Sequence, residues 1–316
     1  MSLANVIFTI NVVAPVFIIV ILGYFLKKIG LLTENFANIG SKLVFNISLP
    51  SLIFIKLFQV NLQNLINFKQ IGFCYFGTLL FYFFAWFISK PYIKNGDHRG
   101  VFIQGCFRGN YAIIGIPLAY NLFGDPGLIN ASVLLISVLL INNFLAVIAL
   151  TIPPCKETKI STMKIIKKIV TNPLIIAPLI AIPFSYYKIN LNPIFFKTLT
   201  QLSSLAIPLA LISIGATLKF ENLKESIKIA SFATITKIII MPFILTIIAV
   251  KIGFRGVELA SLYFLFAAPT AVASYIMADA MQCNAKLAST IVILTTTISI
   301  FTISIGVFIL NFLGLF

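Results

Sequence analysis

Phe107-Arg108-Gly109-Asn110-Tyr111-Ala112-Ile113-Ile114-Gly115-Ile116-Pro117 interrupts one apolar run of this chain, and Ala267-Ala268-Pro269-Thr270-Ala271-Val272-Ala273-Ser274-Tyr275 interrupts another at the matching place in its second half. Glycine and proline weaken or break a helix where they stand, and a break at membrane depth strips backbone groups of their partners. Such a break is tolerated only beside a cavity or packed protein, and in secondary transporters paired breaks form the substrate site. The pair predicts a protein that carries something polar across a membrane.

Composition bounds the class. The 316 residues are 60% hydrophobic and 10% charged, with mean hydropathy +1.07. Soluble domains are nearer a quarter charged, so an all-α, polytopic membrane protein is expected. The net charge of +15 does not point to nucleic acid, because the basic residues lie between apolar runs and gather on no single surface. Met1-Ser2-Leu3-Ala4-Asn5 lacks a basic start and reads as the lead of a retained first span. Cys74, Cys106 and Cys283 sit in or beside apolar runs and Cys155 in a basic loop, with no metal spacing or disulfide framework.

About 20 apolar residues cross a ~30 Å hydrocarbon core. Ten segments qualify: 6–27, 35–58, 69–90, 99–123, 127–152, 168–187, 193–218, 227–251, 256–281 and 286–313. With both termini outside, fifteen basic residues fall on the inner side, among them Lys27, Lys28, Lys94, Arg99, Lys164 and Lys286, and six on the outer. Arg108 and Lys237 remain within spans. The positive-inside rule therefore favours that orientation in a cell membrane. Residues 1–152 and 168–316 form two five-span halves joined by a basic cytoplasmic linker, 153–167. Pro15 and Pro173 lie 158 positions apart, as do Pro50 and Pro208, and an odd number of spans per half makes the repeat an inverted one.

Arg108 lies about nine residues into its span, roughly 14 Å along a helix. A charge there costs at least ~2.5 kcal/mol, which marks it as functional: a counter-charge for an anion, or a clamp on the carbonyls of the broken helix. Gly109 lets the chain leave the helix, Asn110 offers an amide at the gap, and Tyr111 opens a half-helix whose free N–H groups suit a carboxylate. Pro269 forces the second break, with Thr270 and Ser274 supplying hydroxyls. Asn46, Ser48 and Leu49 before Pro50, and the stretch before Pro208, are candidates to flank the crossing, while Pro117 kinks or ends the second half-helix of its span. Lys237, mid-span, should face a cavity or a partner. Asp279 is the acid expected to be buried, hence the candidate for proton coupling. His98, the lone histidine, and the lack of a phosphate-binding glycine loop leave no catalytic, metal or cofactor site to build, so no enzyme is expected.

The chain resembles the auxin efflux carrier family over nearly its whole length. The likeness rests on Arg108 to Leu118, on Pro208-Leu209-Ala210-Leu211-Ile212-Ser213-Ile214-Gly215-Ala216-Thr217-Leu218, and on Pro269 followed by Ala288-Ser289 and Thr295 to Ser299. The resemblance implies ten spans with crossing broken helices four and nine. It also implies a transport domain (spans 3–5 and 8–10) moving like an elevator against a scaffold (1, 2, 6 and 7), often within a homodimer. By motif position Asn110 matches the family's carboxylate-binding asparagine and Pro269 its crossover proline. Family substrates are carboxylates: auxin in plants, malate or malonate for bacterial members. The linker lacks the long hydrophilic loop of many plant carriers, which fits a compact bacterial form. The expected function is secondary transport of a small organic anion. The rivals are a sodium-coupled carrier of the bile acid type, disfavoured by few acids near the crossing, and a membrane sensor built on the same fold.

Overall fold

The computed structural model describes residues 2–59, 67–151, 171, 173–218, 227–281 and 283–316. The expected linker, 153–167, lies outside them. The described residues form helices α1 (Ser2–Lys28), α2 (Glu34–Leu43), α3 (Leu49–Phe58), α4 (Phe68–Tyr92), α5 (Gly96–Phe107), α6 (Ile116–Phe123), α7 (Asp125–Thr151) and α8 (Pro173–Tyr186). They continue as α9 (Pro193–Ser204), α10 (Ala206–Thr217), α11 (Ile227–Ile235), α12 (Met241–Ile252), α13 (Gly256–Ala267), α14 (Ala273–Ala280) and α15 (Ala285–Phe312). Asn67, Asn95, Asn192 and Asn284 cap α4, α5, α9 and α15 by accepting a first-turn backbone N–H, which terminates each loop before its apolar run.

Helices occupy all ten expected segments. Among the described residues seven helical stretches are long and apolar enough to cross a membrane by length and composition: 6–28, 34–55, 68–92, 125–151, 193–217, 227–252 and 285–312. The outward surface matches that reading, since Phe87, Ile194, Phe243 and Phe301 are all more than half exposed. So much exposed apolar area would be a liability in water and is the natural face toward lipid.

Among the described residues three π-helical turns interrupt these helices, Val44–Ser48, Tyr111–Gly115 and Thr236–Ile240. Each ends two residues before a proline: Pro50, Pro117 or Pro242. The residue just ahead of the proline reaches five positions back, Leu49 N–H to Val44 O, Ile116 to Tyr111 and Met241 to Thr236. Proline donates no hydrogen bond and its ring crowds the carbonyl four back, so the helix widens by a residue. Ahead of Pro208 the helix is instead interrupted by a turn at Leu205, which separates α9 from α10. The kinks expected at Pro50 and Pro117 are thus widened turns.

Packing falls into two groups. α1 runs along α10, α2 also meets α10, and α3 lies against α8 and α9. Gly23 of α1 sits against the Ile212 carbonyl, and Gly215 of α10 against the Val20 carbonyl, so the two backbones touch where a side chain would separate them. In the other group α4, α5 and α7 pack together, and α15 contacts α5, α11 and α14. α13 packs on α7, α6 and the Tyr111–Gly115 turn. The broken helices lie inside this second group, which the first group touches where α1 meets α6 and α15 and where α10 meets the Tyr111–Gly115 turn.

Candidate functional site

Between α5 and α6, and between α13 and α14, the chain leaves the helix. The two gaps pair with each other. Asn110 N–H donates to Pro269 O at 2.7 Å and Ala271 N–H to Arg108 O at 3.2 Å, making an antiparallel bridge between Gly109 and Thr270. Each break thereby supplies the partners the other lost, which backbone polar groups require away from water. Gly109 is needed for close approach, not for backbone freedom: a Cβ there would lie 3.2 Å from Leu265 O, 3.3 Å from Lys237 Nζ and 3.4 Å from Ala268 O.

Thr270 fastens the crossing. Its N–H donates to Thr295 Oγ1 of α15 at 3.0 Å and its hydroxyl to Gly105 O of α5 at 2.8 Å. That hydroxyl hydrogen is committed to holding α5, so Thr270 is a clamp before it is a wall.

Arg108 is buried, at 7% exposure. Its Nη2 donates to Asn143 Oδ1 of α7 at 3.0 Å and its Nη1 to the Met277 sulfur of α14. With the Gln104 amide oxygen turned toward it, Nη1 also reaches that oxygen at 3.1 Å, while the Gln104 amide donates to Ser274 O at 3.3 Å. Every one of these partners is neutral. Lys237 is also buried, on the Thr236–Ile240 turn; its Nζ donates to Phe266 O at 2.8 Å and lies 3.6 Å from the Met241 sulfur. Among the described residues the acids stand elsewhere: Glu34, Asp97, Asp125 and Glu258 occupy first turns of α2, α5, α7 and α13, and Asp279 the exposed last turn of α14.

Two polar groups at the crossing are buried without a partner, Asn110 Nδ2 and Ser274 Oγ. A buried donor left unmade costs about 1–3 kcal/mol. Around them the Tyr111–Gly115 turn and α14 begin, and the first N–H groups of a helix have no partner within it. Two positive side chains, an unused amide and two helix starts converge on a few residues.

A family described as membrane transport protein, the auxin-efflux-carrier-like family, matches residues 8–164 and 154–307. This chain belongs to that family. Among its relatives, an uncharacterized transporter of Methanocaldococcus jannaschii is 28% identical over 92% of this chain and 94% of its own length. An uncharacterized transporter of Methanothermobacter thermautotrophicus is 26% identical over 91% and 93%. The uncharacterized transporter YfdV of Escherichia coli is 22% identical over 86% and 88%. The family and the relatives' names identify a multi-pass membrane transporter rather than an enzyme.

The transporter's other expected site residues divide. Arg108, Gly109, Asn110, Pro269, Thr270 and Ser274 meet at the crossing. Tyr111 adjoins it: its ring fills the space Gly115 leaves open, and its hydroxyl is buried without a hydrogen-bond partner. Asn46 is exposed, and its amide donates to Lys42 O one turn back at 2.7 Å. Ser48 and Leu49 are buried where the Val44–Ser48 turn and α3 meet α8, α9 and α10, in the first packing group. Pro117 is buried, Pro50 half-buried and Pro208 exposed. Asp279 corrects the expectation of a buried acid: α14 ends at Ala280, so its last turn already carries Asp279 to an exposed position.

Gln104, Asn143 and Met277 were not legible as holders of Arg108. Signals existed for two: Gln104 stands one turn before Arg108, and Asn142-Asn143 interrupts an otherwise apolar 27-residue helix. Pro242, five residues after Lys237, announced the turn on which that lysine sits. Cys74 and Cys106 are free and buried.

Proposed function

We propose that this transporter is a secondary carrier of a small organic anion with a carboxylate group, working by elevator-type alternating access. The observation that carries the reading is the pairing of buried Arg108 with the unpartnered Asn110 amide beside Ser274, all held by neutral groups. A buried guanidinium with no acid among its hydrogen-bond partners is stabilised by an arriving anion. The carboxylate would accept from Asn110 Nδ2, Ser274 Oγ and the first amides of the half-helices, with Arg108 supplying the field from just behind.

The ten segments are read as ten crossings in two inverted repeats, residues 1–152 and 168–316. Seven are continuous, two are the broken pairs α5/α6 and α13/α14, and one is α8. Packing supports a division of labour. α1, α2–α3, α8 and α9–α10 form a scaffold, while the broken helices travel with α4, α7, α11–α12 and α15. A site carried whole past a scaffold needs no change in its own bonds, and the mutual backbone pairing at the bridge keeps it intact during movement. The protein is placed in the cell membrane with both termini outside and in a homodimer, on the basic-residue distribution and the family resemblance respectively.

The test is uptake of radiolabelled malonate, malate and indole-3-acetate by proteoliposomes. At least one should enter faster than into protein-free vesicles, and Asn110→Ala should reduce that uptake at least about tenfold, the effect of losing roughly 1.4 kcal/mol of binding. Undiminished uptake by the variant, at equal incorporation, refutes the site.

A further inference from the structure

Lys237 is the second buried cation of the crossing, and anion binding by Arg108 and Asn110 does not account for it. Its ammonium does not join the Arg108 cluster of Gln104, Asn143 and Met277. It lies beside Gly109, where a single added methyl would come within 3.3 Å of Nζ. It bonds Phe266 O, one of the last carbonyls of α13. Leu265 O and Ala268 O flank the same glycine at 3.2 and 3.4 Å from that methyl position. Phe266 O bonds the ammonium, and Leu265 O and Ala268 O surround the adjacent glycine, so carbonyls gather at the negative end of a broken helix, deep in the protein, next to one positive charge.

A cluster of that kind is what a small monovalent cation uses as ligands, because carbonyl oxygens at a helix C-terminus replace its hydration shell. The sequence has instead placed a covalently attached ammonium there. The Thr236–Ile240 turn, created by Pro242, widens the helix at Lys237 and aims its side chain across to α13. We propose that Lys237 is a resident cation: it fills, by its own ammonium, the position a coupling ion would otherwise occupy at the crossing. The crossing is therefore complete without sodium. Removing the ammonium opens a site that accepts a cation from solution.

The inference concerns the carbonyl cluster and uses no cargo, so its failure leaves the carboxylate reading standing, and the reverse holds as well. The test is thermal unfolding of the full chain in detergent at constant ionic strength, with sodium, ethylammonium or N-methylglucamine as the chloride salt. The wild-type midpoint should be the same in all three. Lys237→Ala deletes the stem and ammonium, leaving a space ethylammonium fits. Its midpoint should rise by about 2–4 °C in ethylammonium relative to N-methylglucamine, at a concentration roughly tenfold above the Kd, and also rise in sodium. A sodium-specific rise in the wild type overturns the proposal, as does a folded Lys237→Ala protein indifferent to both small cations. If Lys237→Ala does not purify, Lys237→Ser is read the same way, and the wild-type comparison decides alone if neither does.

Discussion

At the first break Arg108 and Asn110 place a charge and an unused amide beside the bridge. At the second, Pro269 contributes its carbonyl and Thr270 turns both its N–H and its hydroxyl to α15 and α5. The two gaps share one bridge, and the repeat that aligns them in sequence does not make them alike in chemistry. The first break is arranged to leave binding capacity over, the second to leave none over except at Ser274. A crossing needs both. Unpaired groups bind cargo, but groups left unpaired on both strands would let the bridge open. Losses at the first break should therefore appear in transport, and losses at the second in stability.

The largest effect is expected at Arg108. Arg108→Gln keeps a polar group near Gln104 and Asn143 but removes the positive charge. Losing one partner of a desolvated charge contact costs about 2–5 kcal/mol, so uptake of whichever carboxylate the wild type carries should fall roughly thirtyfold or more. Arg108→Lys restores charge without the fork that reaches Asn143 and Gln104 together, and should recover part of the loss. Equal uptake by all three proteins would remove the anion argument. Thr270→Val sharpens the other side: the Gly105 carbonyl loses its donor, a cost of about 1–3 kcal/mol. The unfolding midpoint should drop by a few degrees while the substrate concentration for half-maximal uptake stays within about twofold. A variant that instead loses affinity with an unchanged midpoint would assign Thr270 to the cargo and erase the contrast.

Much of this was legible because it is written in strong local signals. Apolar length sets the segments, and glycine or proline within such length can only mean a kink or a break, so α5/α6 and α13/α14 were found from residues 107–117 and 267–275. The bridge's partners were harder. Asn143 and Met277 come to Arg108 from helices 35 and 169 positions away, and no local periodicity carries that information. For Tyr111 proximity to a break does not fix side-chain direction, and Gly115 gives its ring a place to pack. Asn46 misled for a related reason, since an amide on a helix can bond its own backbone, as it does to Lys42 O. The widened turns escaped notice because proline announces that a helix is disturbed without saying whether it bends, breaks or gains a residue.

Asp279 gives the smallest expected effect and the sharpest boundary to the site. It follows Arg108's partner Met277 by two residues on α14, yet a helix turns about 200° over two residues, and the side chain of Asp279 is exposed where that of Met277 reaches the guanidinium. Water solvates an exposed carboxylate and screens it from charges beyond about 10 Å at ordinary salt. Asp279→Asn should therefore leave uptake within about twofold and leave its dependence on external pH unchanged between pH 5 and 8. If the variant instead flattened that pH dependence, the last turn of α14 would have to close against protein in another conformation. The second break would then contribute an ionisable group to transport after all, and the division between a binding strand and a fastening strand would hold in one conformation only.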